Sequence, residues 1–122
     1  MNGREYIHLA SRTNDGMSTQ RLREMIIFNP KIGDALNGAL GLTGEAGEVS
    51  DMIKKWAFHG HELDVDHITK ELGDVMWYIH LICTAFDISL DIVMQKNIQK
   101  LEARYPEGFD TERSLHRQEG DV

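Results

Sequence analysis

Four acids stand in two pairs at helical spacing: Glu45 with Glu48 in the stretch GEAGE, and Glu71 with Asp74 in KELGD. Residues three apart on an α-helix project from nearly one face, a turn from each other, so each pair offers two carboxylates in one direction. Surface helices usually neutralise such acids with Lys or Arg four positions later, but here those positions hold Val49, Met52, Val75 and Tyr78. Lys70 precedes Asp74 in the less favourable order, while Lys54 and Lys55 lie near Asp51. Clustered acids without counterions have raised pKa values or demand a cation. Oxygen-only ligands suit Mg²⁺, with Mn²⁺ as a substitute, far better than zinc. The expectation is a divalent-cation site formed by Glu45, Glu48, Glu71 and Asp74, with the two pairs on consecutive antiparallel helices.

Cations that could meet an anionic ligand follow downstream. Asn97, Lys100 and Arg104 fall on one helical stripe beside the apolar face of Ile98, Leu101 and Tyr105. Taken alone such a stripe is more often a solvated face. Next to metal-binding acids it describes a site for a triphosphate, with Lys or Arg stabilising the leaving group. Lys54 and Tyr78 complete the candidate substrate-binding set. Trp56, Phe58 and Trp77 are, with Tyr78, the aromatics that could stack on a base, although aromatics at helical spacing are more often core. His59 and His61 in HGH lack a cysteine companion and read as solvated loop residues. His8, His67, His80 and His116 stand in no recognisable pattern.

The elements that must position these groups are all helical. The two prolines, Pro30 and Pro106, sit where helical patterns begin or end, and alternating β-branched runs are absent. A first helix is expected over residues 3–12 and a second from a Ser18 cap to Phe28, together an N-terminal segment over 1–30. The core helices span 34–105. A long helix from Asp34 to Phe58 carries Leu36, Leu40, Thr43, Ala46, Val49, Ile53 and Trp56 at three- and four-residue intervals. The next, capped by Asp64 or Asp66, carries Ile68, Leu72, Val75, Ile79, Ile82 and Phe86, and Ser89 caps a further one with Leu90, Met94, Ile98, Leu101 and Tyr105. From residue 106 to 122 a polar arm is expected to be extended or partly disordered, with Phe109 and Leu115 as its only apolar anchors. Glycines recur every third position at Gly38, Gly41, Gly44 and Gly47, and each costs roughly 1 kcal/mol in a helix relative to alanine. Close approach of a partner helix or an anionic ligand is the compensating cause expected there.

The chain's 122 residues, 41% of them apolar, suit one domain. A net charge of −7 repels nucleic-acid backbones and anionic membranes, so no polymeric nucleic acid and no membrane is expected as a partner. The lone Cys83 lies in an apolar run, where it reads as a small buried hydrophobe, and the reading is a soluble, cytoplasmic protein.

Three stretches in this order and spacing, GLTGEAGEVSDMIKK, KELGDVMWYI and NIQKLEARYPEGF, closely resemble the MazG-like branch of the all-α nucleoside triphosphate pyrophosphohydrolases, over residues 35–109. The resemblance implies an all-α helical bundle completed by dimerisation, as a homodimer or a tetramer built from dimers. It implies that Glu45, Glu48, Glu71 and Asp74 bind Mg²⁺ and that Asn97, Lys100 and Arg104 contact phosphate or sugar. The implied reaction converts a (deoxy)nucleoside triphosphate to the monophosphate and pyrophosphate by metal-activated water, with Glu45 orienting or deprotonating that water, and the implied role is house-cleaning of the nucleotide pool. Two other classes compete. A ferritin-like di-metal protein would need paired ExxH motifs, for which only Glu5–His8 and Asp64–His67 offer themselves. A non-catalytic helical dimer or adaptor would leave the acids as surface solvation.

Overall fold

The computed structural model describes residues 1–116, and every regular element among them is helical. In order these are α1 (Gly3–Ala10), a 3-10 turn (Ser11–Thr13), α2 (Ser18–Phe28), α3 (Ile32–His59), α4 (Val65–Ala85), α5 (Leu90–Arg104) and α6 (Thr111–Leu115). The all-α expectation holds, and the ends of the elements have local causes. Asn2 and Glu5 form a reciprocal capping box on α1, and the chain then tightens into the 3-10 turn instead of continuing as α-helix to residue 12. Ser18 is the first residue of α2, and the cap position before it falls to Met17, which makes no side-chain cap bond. Helix α3 ends where Gly60 takes the left-handed conformation at φ 71°, which costs glycine little. Of the two candidate caps for α4, Asp64 serves, accepting from the His67 backbone N–H at 2.9 Å. Ser89 occupies the cap position of α5 without a side-chain cap bond.

The C-terminal arm departs from the expectation of an extended tail. Asp110 caps a further short helix, α6, by accepting from the Arg113 N–H at 2.9 Å, and the Phe109 ring packs 5.3 Å from Tyr105. Leu115 stays exposed, so it anchors nothing within the chain. Residues 117–122 of that arm lie outside the described residues.

Helices α3 and α4 form the central antiparallel pair, with buried Ala35 and Cys83 at its packed end. The glycine series explains how closely they approach. A Cβ on Gly38 would stand 2.6 Å from the Ile82 Cγ1 and 3.3 Å from the Ile82 backbone N, and one on Gly41 would stand 2.2 Å from the Tyr78 ring. These two positions are a seat for α4. Gly44 and Gly47 meet nothing within 4 Å, so helix contact explains only the first half of the series. An opposite response to alanine is therefore expected. Gly38→Ala should lower the thermal midpoint, because overpacking costs about 1–3 kcal/mol. Gly44→Ala should raise it, by regaining about 1 kcal/mol of helix propensity. Thermal unfolding of the two variants without ligand checks the contrast.

The single chain leaves much apolar surface bare. It exposes 10,224 Å², whereas a compact chain of 13.9 kDa should expose about 6,700 Å². Helices α1 and α2 leave Tyr6, Ile7, Leu9, Ile26, Ile27 and Phe28 exposed, and helix α5 adds a further bare face. Its axis is turned 103° from that of α4, and it packs along neither α3 nor α4, which leaves Ile92, Val93, Met94, Ile98 and Leu101 uncovered. The turn between them runs through Asp87, at φ 54°, whose carboxylate pairs with Lys31 at the start of α3. Among the described residues, no single helix is long and apolar enough to cross a membrane.

Candidate metal centre

Glu45 stands near the middle of α3, and Glu71 with Asp74 in the first half of α4. The close pairing of the two helices carries these residues into one cluster, in which one carboxylate oxygen from each lies within 4.8 Å of the others. Glu45 and Glu71 are half-buried, the Glu71 side chain only 12% exposed, while Asp74 is exposed. Burial and crowding together perturb Glu45. Its pKa is raised, first by burial, then by the charge of Glu48, then by its hydrogen bond with Glu71 and the charges of Glu71 and Asp74. Two carboxylates can share a hydrogen bond only if one holds a proton, so the cluster either keeps a proton or exchanges it for a cation. The donor set is oxygen only and carries up to three negative charges, which fits a hard divalent cation such as Mg²⁺.

Glu48 is the acid the geometry leaves outside that trio. It is exposed and lines a neighbouring cavity of about 400 Å³ with Gly44, Gly47, Asp51, Met52, Lys55 and His67. Here the other half of the glycine series finds its place, as a cavity wall without side chains. Lys54 and Lys55 both pair with Asp51 at 2.5 Å and hold its pKa down to about 2. Lys54 is thus balanced within its own helix, while Lys55 also lines the cavity.

The Tyr78 ring is committed to the helix pair, lying over Gly41 and edge-on to Trp77 with centroids 4.9 Å apart. Trp56, Phe58 and Trp77 are exposed, and none of them lines the cavity of Glu48. The α5 stripe of Asn97, Lys100 and Arg104 is not brought to the cluster by its own chain. Asp74 lies roughly 16 Å before the end of α4 and Lys100 roughly 15 Å into α5, so a turn of 103° leaves the two about 20 Å apart.

The residue that the sequence patterns overlooked is His67. Its Nε2 lies 2.9 Å from the Glu71 Oε1. The positions four residues after each acid are apolar, but the one four residues before Glu71 is this histidine, so the i, i+4 relation was legible in the other direction. The paired ExxH motifs of a ferritin-like site do not assemble: the Glu5 carboxylate accepts from the Asn2 backbone, and Asp64 is taken up as the α4 cap.

Comparison with known proteins follows the same residues. Residues 35–109 match the MazG nucleotide pyrophosphohydrolase domain. The chain is 37% identical over 73 residues to the Gene 37 protein of Mycobacterium phage L5, an alignment covering 57% of this chain. It spans 64% of the length of that relative. No solved structure matches. The matched segment begins just inside α3, carries both acidic pairs and ends beyond α5, and on that match the chain belongs to the MazG nucleotide pyrophosphohydrolase domain family.

Proposed function

We propose that the protein is a Mg²⁺-dependent nucleoside triphosphate pyrophosphohydrolase that releases a nucleoside monophosphate and pyrophosphate. The observation that carries this reading is the convergence of Glu45, Glu71 and Asp74 across the α3–α4 pair. Glu45, Glu71 and Asp74 would hold the cation, with Glu48 contributing from the adjoining cavity wall. When bound, Mg²⁺ neutralises phosphate oxygens and acidifies water.

The chain's own groups account for the rest of the reaction. A Glu45 carboxylate oxygen not engaged by the cation would accept the proton of the attacking water. The cavity beside it is walled by bare backbone at Gly44 and Gly47, which admits a bulky anion, and Lys55 stands on its rim. Phosphate contacts from Asn97, Lys100 and Arg104 require another source, because their own helix turns away. A second copy supplies it: the bare α5 face carries Ile92, Val93, Met94, Ile98 and Leu101, and the excess surface of about 3,500 Å² per chain, roughly 7,000 Å² for a pair, is more than enough for an obligate interface. The active form in this reading is a homodimer, or a tetramer of dimers, in which each α5 serves its neighbour's acids. The role that fits such chemistry is house-cleaning of the (deoxy)nucleotide pool.

The test is a product assay. Incubation with Mg²⁺ and a panel of natural and modified nucleoside triphosphates should yield monophosphate and pyrophosphate from at least one of them. Diphosphate with orthophosphate, or no turnover across the panel, overturns the assignment.

A further inference from the structure

We propose that His67 is a positioning residue for the cation site, fixing the Glu71 carboxylate in the orientation in which it meets Glu45 and Asp74. This rests on the metal-dependent reading of the acidic trio. The His67 Nε2 lies 2.9 Å from the Glu71 Oε1, one helical turn away, close enough for the imidazole to restrain that oxygen. The histidine is itself anchored at its backbone. Its N–H donates to the Asp64 side chain, which places it in the first turn of α4, one turn before Glu71 and on the same face. The His67 backbone is thus fixed at the α4 cap while its imidazole reaches Glu71, one of whose oxygens lies within 4.8 Å of oxygens of Glu45 and Asp74.

An unrestrained glutamate has three rotatable side-chain bonds and would have to be ordered when a cation arrives. With one oxygen held by His67, that ordering is already done, and the remaining acceptor capacity of Glu71 is left for the site. The contrast in exposure fits this division of labour: the Glu71 side chain is 12% exposed and the imidazole 55%. The imidazole lies between the trio and the cavity lined by Glu48, Asp51 and Lys55, so it supports the site from the side on which that cavity opens.

The experiment measures cation binding directly on the full chain, Mn²⁺ by loss of its free-ion resonance and Mg²⁺ by calorimetry. Parent and variants are titrated at one and the same pH. His67→Ala should bind both ions about 10- to 100-fold more weakly, the usual effect of removing a hydrogen-bonded support from a ligating carboxylate. His67→Gln, whose amide can donate across the same helical turn, should recover most of that loss. Because the imidazole is exposed, both variants should keep the parent's circular dichroism and apo thermal midpoint. Affinity unchanged in His67→Ala, or no recovery in a folded His67→Gln, overturns the positioning role. A loss confined to Mn²⁺ makes His67 an inner ligand and overturns it equally. Failure of the parent chain to bind either ion removes the cation site itself, a result distinguishable from the others because it needs no variant.

Discussion

Glu71→Gln should lower kcat/KM for triphosphate hydrolysis on the order of 10³-fold while leaving the fold intact. The substitution keeps the side-chain shape and an oxygen that can accept from His67, so what it removes is one charge from the trio. A bound cation is worth several kcal/mol of transition-state stabilisation, and each 1.36 kcal/mol is about tenfold in rate, which sets that magnitude. Stability should move the other way in the absence of metal. Glu45 titrates above its ordinary value because burial and the neighbouring acids disfavour its charge. A carboxyl with a raised native pKa takes up a proton on folding, so the metal-free fold is most stable with Glu45 protonated and loses stability as pH rises through that raised value. A divalent cation replaces the proton and reverses the loss. The rise in thermal midpoint on adding Mg²⁺ should therefore grow in the parent protein as pH rises through the raised Glu45 value, and largely vanish in Glu71→Gln. Steady-state kinetics together with melting curves at several pH values measure both effects. A Glu71→Gln protein that hydrolyses like the parent leaves the acids as surface charge and returns the chain to the adaptor reading.

Part of this arrangement was legible in the sequence because it depends on one-dimensional periodicity. The expected stripe of α4 is its half-buried face at Ile68, Val75, Ile79 and Ile82, but the α3 stripe expected at Leu36, Leu40, Ile53 and Trp56 is exposed, and α4 packs instead on the neighbouring face of Ala35, Gly38, Gly41 and Glu45, where small residues let the backbones approach. Gly38 and Gly41 were readable as contact positions because several helix-interior glycines are unfavourable unless something approaches closely. Periodicity could not separate Glu45 from Glu48. A shift of three residues rotates a side chain by about 60° around the axis, enough to leave Glu48 in the cavity while Glu45 enters the cluster. Nor could it tell that Gly44 and Gly47 face open space, since the same composition serves helix contact and cavity wall alike. The α6 helix escaped notice because five residues carry too little apolar signal, although its Asp110 cap was in plain view. The direction of α5 had no signature at all. It depends on a turn through Asp87, where a non-glycine residue adopts φ 54°, and on the surface that the helix seeks to cover.

That direction makes the second large effect an experiment on mixtures. Lys100→Glu should by itself reduce turnover on the order of 10²-fold, since it replaces a preorganised cation with a charge that repels phosphate. Glu71→Gln is likewise nearly inactive. If each α5 served the acids of its own chain, every site in a mixture of the two variants would carry one defect, and mixing would recover nothing. With about 20 Å between Asp74 and Lys100 of one chain, the sites should instead be built across copies. In a heterodimer both defects then fall on the same site, and the other site has intact acids from one chain and an intact α5 from the other. Equal co-expression makes half of the dimers mixed, each with one sound site of two, so activity should return to about a quarter of the parent's. Two affinity tags isolate the mixed species and raise the expected recovery to about half. An isolated mixed dimer as inactive as its parents would mean that α5 folds back onto its own acids in solution, and the bare face of Met94, Ile98 and Leu101 would then be covered from within the chain.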